Sequence, residues 1–223
     1  MKTTKFLMMA AAFFYFEQII QDHVTETLPA ISYAAQRVQA RELLPNSLNM
    51  DSLSSFDSEK VLRLVERRLP KKYRAQSDLV ARTIIQEAKR NNLDPLFLMA
   101  VIQTESGFNP EVRGRHGEIG LMQILPKTSL WLAKRFHLQG EIDLTRPEIN
   151  IKLGAAYLAK LRKRFHHVGN RYIAAFNMGS KNVHRLLASQ VEPRIYPDKV
   201  LHHYKKIYSQ ISSPATKAAV AAL

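Results

Sequence analysis

Apolar positions recur with helical spacing from about residue 58 to residue 211, and in one stretch the polar side vanishes. That stretch is Asp94-Pro95-Leu96-Phe97-Leu98-Met99-Ala100-Val101-Ile102-Gln103-Thr104-Glu105-Ser106-Gly107. Asp94 fits an N-cap, and Pro95 fits the first helical position, where a missing N–H costs nothing. Residues 96–102 are apolar on every side, which predicts a helix enclosed by protein. Gly107 offers a left-handed C-cap, and Asn109-Pro110 prevents continuation.

The flanking pattern is also helical. Asp57 or Ser58 can cap a basic amphipathic helix carrying Val61, Leu62, Leu64, Val65 and Leu69, ended by Pro70. Ser77 is expected to cap a helix with Leu79, Val80, Ile84, Ile85 and Ala88 on one side, ending at Asn91-Asn92. After Gly107 comes a polar, glycine-bearing loop from Asn109 to Gly120; a loop of that size inside a compact domain is usually functional. A helix is expected from about Thr128, with Leu130, Trp131, Leu132, Ala133 and Phe136. Others are expected at Glu148 to Arg164, Tyr172 to Asn177, Lys181 to Ala188 and Pro197 to Ile211. There is no internal repeat and no long alternating pattern. The fold class is therefore mainly α, with a short irregular or β-like loop segment around 110–123.

The ends read differently. Lys2 and Lys5 precede an apolar run from Phe6 to Phe16, broken by Glu17 and Gln18. A basic n-region with a short apolar h-region, too short to span a bilayer comfortably, makes residues 1–20 a signal-like segment and predicts export. A buried N-terminal helix is the alternative. Val38-Gln39-Ala40 has cleavage-site residue types but lies far downstream, so cleavage stays open. Residues 21–75 form an extension with the basic helix near its end, residues 76–210 the folded domain, and residues 211–223 a low-complexity tail.

Composition narrows the partners. Of 223 residues, 46% are hydrophobic and 23% charged, as in ordinary folded domains, but the net charge is +14. That excess favours polyanions: nucleic acid, anionic lipid, or an acidic polymer such as bacterial wall. The absence of cysteine excludes disulfides, thiolate metal sites and cysteine nucleophiles. The eight histidines are scattered or adjacent (His166-His167, His202-His203), and adjacent helical residues do not share a face, which argues against a metal site.

Within the all-apolar helix Glu105 is the anomaly. It places a carboxylate at the partly negative end of a buried helix, where burial and the macrodipole both favour its protonated form. The competing reading is a glutamate fraying into solvent in the last turn. Downstream, Gly120-Leu121-Met122-Gln123 puts a glycine where backbone can approach a ligand, then apolar surface, then an amide. Ala175-Phe176-Asn177-Met178-Gly179 puts a second amide beside a glycine, and Tyr196 supplies a phenol at a helix start. Singly, Gly120 reads as a turn residue, Asn177 as a cap and Tyr196 as packing.

In order, Glu-Ser, Gly-Leu-Met-Gln, Ala-aromatic-Asn-x-Gly and Tyr resemble the family 1 lytic transglycosylases, the soluble-transglycosylase (SLT) catalytic domain. Leu93-Asp94-Pro95, Phe108-Asn109-Pro110, Asn150 through Leu158, and Glu192, Tyr196 and Val200 extend the likeness over roughly residues 76 to 210. The resemblance implies a lysozyme-like α+β fold with a groove, and cleavage of peptidoglycan glycan strands between N-acetylmuramic acid and N-acetylglucosamine without water. Glu105 would serve as acid and then base, with no metal or cofactor. It further implies that Ser106 orients substrate or carboxylate and that Gly120, Leu121, Met122 and Gln123 build the groove. Asn177 would hold an N-acetyl group, Tyr196 would tune Glu105, and Glu118 would turn away. The family usually has Tyr where this chain has Phe176, so the ring is kept and a hydroxyl lost. A monomer in the periplasm or cell envelope, or secreted, is expected, with membrane or envelope-complex association assigned to the N-terminal region. Two other readings stay open: a lysozyme-type hydrolase in which Glu118 activates water, and a non-catalytic wall-binding protein. A nucleic-acid-binding role lacks a recognisable reading element.

Overall fold

The computed structural model describes residues 58–136 and 142–211, all within one compact unit. The signal-like segment (residues 1–20), most of the extension, and the tail after Ile211 lie outside the described residues.

The described elements are α1 (Ser58–Arg68), a short 3-10 helix (Lys71–Gln76), α2 (Ser77–Arg90), α3 (Pro95–Ser106), α4 (Pro126–Arg135), α5 (Pro147–Arg164), α6 (Gly169–Met178), α7 (Ser180–Ala188) and α8 (Ile195–Ile211). Among the described residues β-structure is confined to two isolated bridges, Arg113 with Ile119 and Ile119 with Ile124, inside the long loop. No helix among them is long and apolar enough to cross a membrane.

α3 is the axis of the core. Every residue from Pro95 to Ile102 is buried, as its uniform apolarity requires. Asp94 caps it, accepting from the Leu96 N–H at 2.7 Å, and Gly107 closes it at φ +59°. Its most extensive packing is against α8, and α2 lies on another side. α2 also carries α1 and α5, and α5 carries α4 and α6, so the helices stack outward from α3. Phe97 of α3 meets Tyr172 of α6 edge-on, with ring centroids 6.2 Å apart.

Several boundaries differ from those read in the sequence. Ser77 does not cap α2: the 3-10 helix runs straight into it, so the cap position falls on Gln76 and Ser77 is already helical. α4 begins at Pro126, because proline suits the first helical position and Leu125 is extended before it. α8 starts at Ile195, which puts Tyr196 inside its first turn.

Candidate active site

The site grows from the C-terminal end of α3. Gly107 and then Phe108 (φ +66°, fully buried) turn the chain sharply back across the helix end. The loop that follows is braced internally. The Gly120 N–H donates to the Val112 carbonyl at 2.9 Å, and Ile119 and Ile124 exchange two bonds of 3.1 Å. The Gln123 amide donates to the Val112 carbonyl at 3.0 Å and the Gly120 carbonyl at 2.9 Å.

Asn150 of α5 locks this loop to the domain. Fully buried, it accepts from the Met122 N–H at 2.7 Å and donates to the carbonyls of Ile119 (2.8 Å) and Leu144 (2.9 Å). Such a saturated buried amide orders its surroundings, since each lost partner would leave a buried group unpaired. Gly120 sits at φ +80°, and a Cβ there would fall 2.4 Å from both the Asn150 Nδ2 and the Leu144 carbonyl oxygen. A close approach to protein therefore requires glycine at this position.

Glu105 lies in the last turn of α3, partly buried, and the Tyr196 hydroxyl donates a hydrogen bond to its Oε1. Burial pushes the Glu105 carboxyl up to about 7; the Tyr196 bond pulls the other way, and the charge of Glu118 adds to the rise. The Tyr196 hydroxyl is itself held well above its usual range by burial and the neighbouring carboxylate, so it stays a donor. Glu118, expected to turn away, has its carboxylate engaged by its own loop. Its charge reaches Glu105, while its carboxylate accepts from the His116 N–H at 2.9 Å and lies 3.3 Å from His116 Nδ1. Its own pKa is lowered by hydrogen bonds from its own and the His116 backbone and by the imidazole, which outweigh desolvation, the largest single influence. The two carboxyls thus shift in opposite directions.

The other sequence-derived candidates fall into three places. The Ser106 hydroxyl donates to the Leu121 carbonyl at 2.8 Å, joining the helix end to the loop and not the Glu105 carboxylate. Leu121 and Met122 are fully buried, and a Cβ on Gly154 of α5 would lie 2.3 Å from the Met122 sulfur. Met122 is therefore a core plug beneath the loop, not groove lining. Phe176 and Asn177 end α6. Phe176 packs on Tyr157 with centroids 5.6 Å apart, a partner not singled out in the sequence because Tyr157 sits within a regular helical pattern. Asn177 is exposed and its amide has no hydrogen bond among the described residues, leaving it open to a ligand.

This arrangement, a single carboxyl poised near neutrality at a helix end and braced by a glycine loop, meets its decisive comparison at the family level. The family model described as "Transglycosylase SLT domain" matches residues 82–198, just over half the chain. The chain belongs to this family. Among curated proteins it is 32% identical over 139 residues to membrane-bound lytic murein transglycosylase C of Edwardsiella ictaluri, covering 57% of this chain and 38% of that protein. With soluble lytic murein transglycosylase of Salmonella typhimurium it shares 33% identity over 131 residues, covering 56% of this chain and 19% of the relative. The chain therefore spans well under half the length of these relatives. The 70 kDa soluble lytic transglycosylase of Escherichia coli matches in fold with a TM-score of 0.55 at 21% identity, covering 74% of this chain and 32% of that one. An inactive mutant of lytic transglycosylase Slt from Pseudomonas aeruginosa gives 0.55 at 23% identity, covering 72% and 32%. These likenesses establish the lysozyme-like helical fold of the SLT domain.

Proposed function

We propose that this SLT domain cleaves the glycan strands of peptidoglycan non-hydrolytically, leaving 1,6-anhydro-N-acetylmuramic acid ends. The observation that carries the reading is the Glu105 carboxyl, raised to about 7 and held by Tyr196. A group with that pKa populates both protonation states at neutral pH, as one residue serving as acid and then base must. The names of the relatives, lytic murein transglycosylases, support murein as the substrate.

Protonated Glu105 donates to the bridging glycosidic oxygen as the bond from the muramyl anomeric carbon to that oxygen breaks. An oxocarbenium-like centre develops, and the substrate's own acetamide stabilises it, the substrate-assisted exception to the two-carboxylate rule. The Glu105 carboxylate then takes the proton of the same sugar's 6-hydroxyl as that oxygen closes on the anomeric carbon. The proton count returns to its start and no water is consumed. Asn177, open at the end of α6, holds an N-acetyl group; Phe176 and Tyr157 form an apolar wall; Gln123, Ser106, Gly120, Leu121 and Met122 set the loop that shapes the groove. The chain works as a monomer in the cell envelope, exported through its N-terminal segment, which also contributes to association with the envelope.

Glu118 supports a second reading, hydrolysis, because its ionised carboxylate lies close enough to raise Glu105 and could activate water. Mass spectrometry of muropeptides released by the purified chain separates the two. Anhydro ends that disappear with Glu105→Gln support the transglycosylase; reducing ends that disappear with Glu118→Gln establish the hydrolase. Unchanged release by Glu105→Gln would sink both.

A further inference from the structure

α4 turns a second, unrelated face to solvent. Lys127, Leu130, Trp131 and Lys134 recur at i, i+3, i+4 and i+7 and so share one side of this helix. All four are exposed, Leu130 by 64% and Trp131 by 42%. The opposite side, Ser129, Leu132 and Ala133, is buried, and α4 packs on α5. The apolar pair is thus held outward by a helix that is firmly seated.

Cations surround it. Lys160 of α5 sets its Nζ 3.9 Å from the Trp131 ring centroid, a cation–π contact, and Arg135 and Arg164 lie close enough to repel its charge. None of Lys127, Lys134, Arg135, Lys160 and Arg164 forms an ion pair among the described residues. The surface has an apolar centre with a positive rim.

We propose that this face docks the domain on an anionic lipid surface, with Leu130 and Trp131 in the headgroup–acyl boundary and the five cations on lipid phosphates. Indole and long basic side chains favour that boundary, the ring half-buried and the charges reaching outward. A soluble polyanion would engage the cations and gain nothing from Leu130. A second copy of a chain carrying +14 would bring like charge to like charge. The domain would lie on the bilayer and not span it.

The chain has one tryptophan, so its emission reports this face alone. Full-length protein is titrated with phosphatidylcholine vesicles with or without phosphatidylglycerol, exciting only the indole. The expected result is a blue shift with the anionic vesicles alone, quenching by brominated acyl chains, and reversal by salt. Each lysine charge removed should weaken binding roughly five-fold, so Lys127→Glu with Lys134→Glu, which also adds two negative charges, should weaken it by more than about 25-fold. Leu130→Ser should reduce the shift with secondary structure unchanged by circular dichroism. Co-sedimentation with unshifted emission would place any attachment elsewhere and overturn the proposal. So would an equal shift with a soluble polyanion, or a shift that follows protein concentration without lipid. Muropeptide release is not a readout here, so either proposal can fail alone.

Discussion

The two ends of α3 carry the same pair of groups and put them to opposite use. At the N-terminal end Asp94 accepts from the Tyr204 hydroxyl at 2.7 Å and from the Leu96 N–H at 2.7 Å. At the C-terminal end Glu105 accepts from the Tyr196 hydroxyl and, among the described residues, from no backbone donor. Both tyrosines come from α8, about two turns apart on the side packed against α3. Burial raises both carboxyls above their ordinary values; at Asp94 the Tyr204 hydroxyl and the backbone N–H groups of Leu96 and Phe97 oppose the rise without cancelling it, and at Glu105 the Tyr196 hydroxyl does the same alone. The helix dipole favours charge at the first site and disfavours it at the second. At the helix start the carboxyl–tyrosine contact is completed by backbone donors and buried, and serves as a structural clamp; at the helix end the contact is only partly buried and open to exchange with a substrate.

Substitutions at the two ends can break that contrast. The largest effect is expected for Glu105→Gln, which should lower the rate of glycan cleavage by on the order of 1,000-fold while the circular dichroism spectrum stays that of the parent. The same variant should show the opposite sign in stability. Because the folded carboxyl has its pKa raised from 4.5 to about 7, the unfolded chain releases this proton first as pH rises. The parent therefore loses stability between those values, about 3 kcal/mol in all, and keeps the deficit above them. Denaturant unfolding should find Glu105→Gln more stable by that amount at pH 8 and equal at pH 4; equality at both would refute a buried neutral acid.

Next in size, Asp94→Ala should cost about 2–3 kcal/mol of unfolding free energy, from a lost cap and a stranded Tyr204 hydroxyl, with cleavage by the folded fraction little changed. The tyrosines give the smallest and sharpest contrast. Tyr196→Phe removes the bond that lowers Glu105, so the basic limb of the kcat/KM profile should move to higher pH. Tyr204→Phe should reduce stability by about 1 kcal/mol and leave that limb in place. A shift from Tyr204→Phe, or none from Tyr196→Phe, would erase the distinction.

Much of this contrast is legible in the amino-acid sequence. Asp94, Pro95 and Gly107 each have one physical reason to stand where they do, and seven apolar residues on all sides can only be a core helix. Glu105 is legible as an anomaly for the same reason. What escapes depends on pairings distant in the chain. Tyr204 meeting Asp94 is set by how α8 lies on α3, which no local pattern encodes. Gly120 and Met122 read as groove elements because glycine and apolar surface suit a ligand equally well. The structure gives those places to Asn150 and Gly154 of α5. Asn150 itself looks like one polar residue among helical positions, and its three bonds exist only once the loop is laid over it. Ser77 has the residue type of a cap, yet the preceding 3-10 helix has already begun the turn.

The central claim, that one carboxyl is poised to give and then take a proton, is tested most directly by a carboxyl-carbon NMR titration of the full chain, with Glu105→Gln identifying the resonance. A midpoint of about 7 for Glu105 is predicted. A midpoint at the ordinary glutamate value would mean that Glu105 is ionised throughout the neutral range and cannot be the acid.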